Sequence, residues 1–222
     1  MKQIFGFLTD LNQNNTREWF TENKARYQEA LGLFTELAQS IIDGISSFDP
    51  ALDGIDAKQS IFRIYKDVRF SKDKLPYKTH FGCWMTKGGR KSTDAGYYFH
   101  LEPGKSFAAA GVWMPPAEQL KLIREEILFK PEAYLEIINN PLLKKNYERG
   151  GTEDMLKKGP TGFPKDFAYI DELKYKHHIF LRNYSNSELS GKNTPALLTK
   201  DYKGLYPLVS YLNHAMSFSG NQ

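Results

Sequence analysis

Apolar residues recur at threes and fours along the early chain: Trp19, Phe20, Tyr27, Leu31, Phe34, Leu37, Ala38, Ile41, Ile42 and Ile45. With 3.6 residues per turn, that spacing places them on one face of a helix. Asn15 is an N-cap residue type and Glu18 follows three positions on, which is a capping-box pattern. The pattern predicts a helix from Thr16 to Ile45, closed by the turn signals Asp49-Pro50 and Asp53-Gly54.

The period then changes. Ser60–Tyr65, Phe81–Thr86, Gly96–Leu101 and Phe107–Met114 are rich in aromatic and β-branched residues and read as strands. Lys87-Gly88-Gly89-Arg90 marks a hairpin tip and Glu102-Pro103-Gly104-Lys105 a turn. Short connections between successive strands predict one antiparallel sheet from Ile61 to Met114, with the Thr16–Ile45 helix across one face. Pro116 suits the first turn of a helix from Ala117 to Leu128, and Pro131 and Pro141 each open another. Lys157 to Pro164 reads as a loop. A short helix near Asp171 and a strand from His178 to Tyr184 follow. Thr194 to Phe218 reads as helix broken near Gly204 and Pro207. Strands cluster centrally and helices at both ends. The expected class is α+β: a central antiparallel β-sheet with helices packed from the N- and C-terminal parts, in a single domain over residues 1–222.

Composition adds bounds. Of 222 residues, 41% are hydrophobic and 14% aromatic, which is enough apolar surface for a packed core. The single cysteine, Cys83, permits no internal disulfide and reads as a small buried hydrophobe. No apolar run approaches the roughly 20 residues of a membrane span, and Met1–Gly6 does not resemble a signal peptide. The expected location is the cytoplasm.

Net charge is only +4, yet Lys58–Lys91 holds ten Lys and Arg against two Asp and Glu. Like charges at that density are either solvated or offset by something anionic. Arg63, Arg69, Lys72, Lys74, Tyr77 and Lys78 are the candidate ligand-binding residues, with Arg17 joining them from the start of the first helix. Asp67, Asp73 and His80 are the candidate acids or bases if chemistry occurs. Arg63 and Arg69 are expected to be partly buried and to converge on Ser71–Lys78. The plainer alternative is a solvated loop in which Asp67 and Asp73 pair locally with Arg69 and Lys74.

Other motifs add little. Gly159–Pro164 lacks the terminal Gly-Lys-Ser/Thr of a phosphate loop. His177 and His178 are adjacent, so in a strand they face opposite ways; no Cys or carboxylate spacing completes a metal site, and surface or packing roles are the expectation. Neither metal nor cofactor is expected.

Two long segments, Asn14-Asn15-Thr16-Arg17-Glu18-Trp19-Phe20 and Phe62-Arg63-Ile64-Tyr65-Lys66-Asp67-Val68-Arg69-Phe70-Ser71-Lys72-Asp73-Lys74-Leu75-Pro76-Tyr77-Lys78, resemble an uncharacterised, mainly bacterial family known as domain of unknown function 2461. Gly96-Tyr97-Tyr98, Pro103-Gly104, Leu156-Lys157 and Pro160-Thr161-Gly162-Phe163 extend the resemblance over nearly the whole chain. It implies a bacterial-type cytoplasmic protein and carries no activity with it. From the residues, the leading expectation is a pocket for a small anionic ligand, phosphorylated ligands included. A nucleic-acid binder using the same stretch is the second reading, disfavoured by acidic helices on both sides. A protein-interaction module without chemistry is the third. Nothing in the pattern indicates an oligomeric state.

Overall fold

The computed structural model describes residues 1–67, 69 and 74–217. It opens on a helix that the pattern above passed over. Helix α1, Lys2–Gln13, buries Ile4, Phe7, Leu8 and Leu11, itself a spacing of threes and fours. The long helix expected next is two: α2, Arg17–Glu22, and α3, Lys24–Ser46. They part at Asn23, whose side-chain amide and backbone N–H both donate to the Trp19 carbonyl and end the first helix.

Thr16, not Asn15, caps α2; its hydroxyl accepts from the Trp19 N–H at 3.2 Å. Asn15 is buried and spans to the far side of the basic loop. Its amide donates to the Tyr77 carbonyl at 3.0 Å and its carbonyl accepts from the Tyr77 N–H at 3.1 Å. Asn15→Ala should therefore lower the unfolding free energy measured in urea by about 1–3 kcal/mol, because it strands two buried backbone groups. A loss below half a kcal/mol would remove this anchor from the account.

After α4, Ala57–Ser60, the expected strand Ser60–Tyr65 is replaced by isolated antiparallel bridges, Ile61 to Cys83 and Tyr65 to Tyr77, on either side of a bend at Ile64. Strands β1, Phe81–Met85, β2, Gly96–Leu101, and β3, Ser106–Val112, follow as expected. Next come α5, Ala117–Phe129, α6, Pro131–Ile138, and α7, Pro141–Asn146, the last two with Pro in their first turn. Strand β4, Glu148–Arg149, α8, Ile170–Leu173, β5, His178–Tyr184, and α9, Asn186–Leu189, lead to α10, Thr194–Ser217. The expected break in α10 is absent. Lys203, Gly204 and Pro207 all face solvent, where water can satisfy the carbonyl that Pro207 leaves unpaired. Burial of Leu198, Tyr202, Leu205, Leu208 and Leu212 offsets the missing bond.

The strands form one antiparallel sheet in the order β1-β2-β3-β5-β4, so the α+β class stands. No helix among the described residues is long and apolar enough to cross a membrane.

The chain divides into two compact units. The first comprises Met1–Arg90, Tyr98–Ala108 and Asn183–Lys200. Here Phe34 of α3 stacks on Phe81 of β1 at 5.1 Å and Phe99 of β2 at 6.2 Å, as the expected helix-on-sheet layer requires. Phe7 of α1 meets Phe20 and Tyr27. Cys83 is wholly buried among apolar groups, which pushes its thiol up to about 12.

The second unit comprises Lys91–Tyr97, Ala109–Arg182 and the chain from Asp201. Its interior is polar in one place. Arg149 donates to Glu172 at 2.6 Å and to the Tyr134 oxygen at 2.7 Å, with its guanidinium 3.3 Å from the Tyr175 ring centroid. The Tyr134 hydroxyl also meets His178 Nδ1 at 3.1 Å. Nε2 of His178 is buried and makes no hydrogen bond among the described residues.

Candidate metal centre

Strand β2 alternates faces. Tyr97, Phe99 and Leu101 are buried, while Tyr98 and His100 point the other way and are half-buried. Glu102 continues that second face one step past the strand. A turn holds it there: Ser106 Oγ donates to the Glu102 carbonyl at 2.8 Å and accepts from the Glu102 N–H at 3.1 Å. On the first strand His80 immediately precedes β1 and Gly82 lies two residues on. Gly82 has no room for a side chain, since a Cβ there would sit 2.7 Å from the Tyr98 hydroxyl.

The pleat thereby gathers His80, His100 and Glu102, each offering a ligand atom within 4.8 Å of the others. The rings of His80 and His100 lie 4.1 Å apart. Phe107 stacks on His100 at 4.7 Å, and Phe62 meets Tyr98 edge-on. His100 and Glu102 side chains are 13% and 20% exposed, so the cluster opens to solvent from a largely apolar floor.

The outer positions of His100 and Glu102 are occupied. His100 Nε2 faces Glu102 Oε2 at 3.1 Å, and the other ring nitrogen meets the Tyr98 hydroxyl at 3.2 Å. Thr79 donates to Glu102 Oε1 at 2.7 Å. Such partners fix ring orientation and carboxylate geometry in metal sites. His80 differs: neither of its ring nitrogens makes a hydrogen bond among the described residues.

The protonation states match ligation. Burial, then the neighbouring His100, brings His80 down to about 4; the Lys78 and Lys66 ammonium groups act in the same direction, against Glu102. Burial also lowers His100, against the pull of Glu102. For Glu102, burial pushes the carboxyl up, but hydrogen bonds from His100 and Thr79 outweigh it and hold it below its ordinary range. Two neutral imidazoles and one carboxylate are the forms that bind a metal ion.

The basic loop is less unified than its composition suggests. Arg69 is 76% exposed and its fork is engaged by Asp67, with Nε donating at 2.9 Å and Nη2 at 2.6 Å. The hydrogen bonds from Arg69 hold the Asp67 carboxyl down at about 2. The expectation that Arg63 and Arg69 are both partly buried is thus overturned: Arg63 is exposed too, and Asp67 supplies locally the anion that Arg69 was expected to seek. Lys74 is exposed, and Lys72 and Asp73 lie outside the described residues. Tyr77 is buried, stacked on Phe20 at 3.9 Å, with the exposed Arg17 within electrostatic reach. The Lys78 charge lies within electrostatic reach of His80.

Of the ligand set, only His80 stood out in the sequence. His100 and Glu102 carried one usable signal, the alternation Tyr98, His100, Glu102, which puts three polar side chains on one face. Their meeting with His80 depends on the pairing of strands and on no linear spacing.

No curated protein and no solved structure matches the chain. A family model described as conserved hypothetical protein (DUF2461) matches residues 3–211, covering the basic loop, all three cluster residues and the sheet that carries them. The chain belongs to this family of conserved hypothetical proteins.

Proposed function

We propose that this chain is a metal-dependent protein whose centre is His80, His100 and Glu102, holding a divalent ion of the zinc class with open coordination positions. The observation that carries the reading is the convergence of two imidazoles and a carboxylate from the adjoining ends of β1 and β2, with Tyr98 and Thr79 bracing His100 and Glu102 from behind. Structural zinc sites are closed by four protein ligands, whereas three ligands beside solvent leave room for a substrate. An ion here would act as a Lewis acid, polarising a bound oxygen. With zinc–ligand lengths of about 2.0–2.2 Å, donors within 4.8 Å of one another would have to close further around the ion. A cytoplasmic location fits the lone buried thiol.

Titration of the chelator-stripped chain with Zn2+ by calorimetry, and with Co2+ by visible absorption, tests this. A single ion per chain is expected, with ligand-field bands from Co2+. Tyr98→Phe should weaken Zn2+ about 10- to 100-fold, as removal of an outer partner does. His100→Ala should exceed that loss. Equal affinities in wild type and His100→Ala, or no binding at all, would reject the centre and leave the cluster a hydrogen-bonded surface.

A further inference from the structure

We infer that the ligand taken at this centre is a phosphate-class dianion, with the Lys78 ammonium as its counter-charge. This rests on the metal reading above and goes further by naming the ligand. Lys78 is half-buried, two residues before His80, with its ammonium 5.5 Å from the centre of the Phe62 ring. It pairs with no carboxylate among the described residues, and the charge within its reach is the like charge of Arg63. A half-buried ammonium held beside a guanidinium and an aromatic face is costly without an anion. Its backbone is anchored, since its N–H donates to the Ile64 carbonyl at 2.8 Å.

Charge counting decides the class of anion. A divalent ion with neutral His80 and His100 and ionised Glu102 keeps one positive charge, and Lys78 adds a second. The carboxylate whose field reaches both imidazoles is Glu102, already counted, while Lys66 and Lys105 add further positive field. A carboxylate ligand would leave more of this positive charge unmatched in a partly desolvated place than a phosphate dianion does.

The test uses Co2+-loaded full-length chain and phenylphosphonate, a dianion that cannot be hydrolysed at an ester bond. Its binding is followed by the ligand-field spectrum and compared with benzoate of the same ring. Phenylphosphonate is expected to bind at least tenfold tighter than benzoate. Lys78→Met should keep Co2+ affinity within about threefold while losing at least tenfold for phenylphosphonate, and Lys78→Arg should restore part of it. Loss of metal binding itself would fault the centre, not the ligand. With the metal bound, equal affinity for the two probes in the wild type, or unchanged phosphonate affinity in Lys78→Met, overturns the inference, and the wild-type comparison stands even if a variant fails to fold. A 5′-phosphorylated oligonucleotide binding no better than its unphosphorylated twin, and independently of the metal, would replace the inference by the nucleic-acid reading.

Discussion

Gly111→Ala is expected to destabilise the protein by on the order of 4 kcal/mol, enough to abolish a cooperative urea transition in a marginally stable domain. Gly111 lies inside β3 at φ +125°, a backbone conformation that side-chain-bearing residues rarely adopt. A Cβ there would sit 2.0 Å from the His178 carbonyl oxygen and 3.0 Å from the Ile179 Cα. Those atoms are backbone, so relief requires β3 and β5 to separate. Gly104→Ala is the control. Gly104 also has positive φ, +75°, but nothing lies within 4 Å of the added methyl. Its cost should be only the about 1–2 kcal/mol of a left-handed residue. Similar midpoints for the two variants would mean that close approach at Gly111 does not matter.

Acid should destabilise the fold well above the range in which ordinary carboxylates titrate. His178 is completely buried, and burial, reinforced by the Arg149 charge, holds it down at about 3. Unfolded, it would take a proton near the ordinary histidine value of about 6.5. The sign follows directly. Below about 6.5 the unfolded chain gains a proton that the folded chain refuses, so the contribution is full above that value and is lost as pH falls toward 3. By pH 4 the loss from His178 alone is on the order of 3 kcal/mol. His80, lowered to about 4, and His100, lowered in the same direction, steepen the fall without metal. Urea midpoints at pH 8, 6, 5 and 4, in chelator, should drop progressively. His178→Gln should start lower, having lost packing, yet fall less steeply. Parallel pH curves for variant and wild type would remove His178 as the source. Added Zn2+ should raise the curve at neutral pH and steepen its acid limb, because protons displace the ion from His80 and His100 as pH falls.

Local chemistry determined more of this protein than its basic loop suggests. The three-and-four spacing of apolar residues specified α3, and prolines placed at first turns opened α6 and α7. The alternation Tyr97 to Leu101 set which β2 side chains face the core, because a strand has a period of two whatever it packs against. Where a local rule met a tertiary one, the tertiary one prevailed. Asn15 has the chemistry of a cap but spends it on the Tyr77 peptide 62 residues away. Pro207 ought to interrupt a helix but sits on the exposed face of one whose buried stripe holds it together. The Ile61–Tyr65 segment has strand composition, yet its bend at Ile64 leaves only isolated bridges. The basic loop announced itself through charge density, but charge density carries no geometry, and Arg69 is satisfied by Asp67 two residues away. The candidate centre is the converse case. His80 and His100 are twenty positions apart, and no spacing rule joins them. They meet because antiparallel pairing of β1 with β2 brings the start of one strand alongside the end of the next, and the pleat turns both imidazoles and Glu102 to the same side. Residue type and period are properties of the chain, but which strand ends coincide is decided only when the sheet closes its hydrogen bonds.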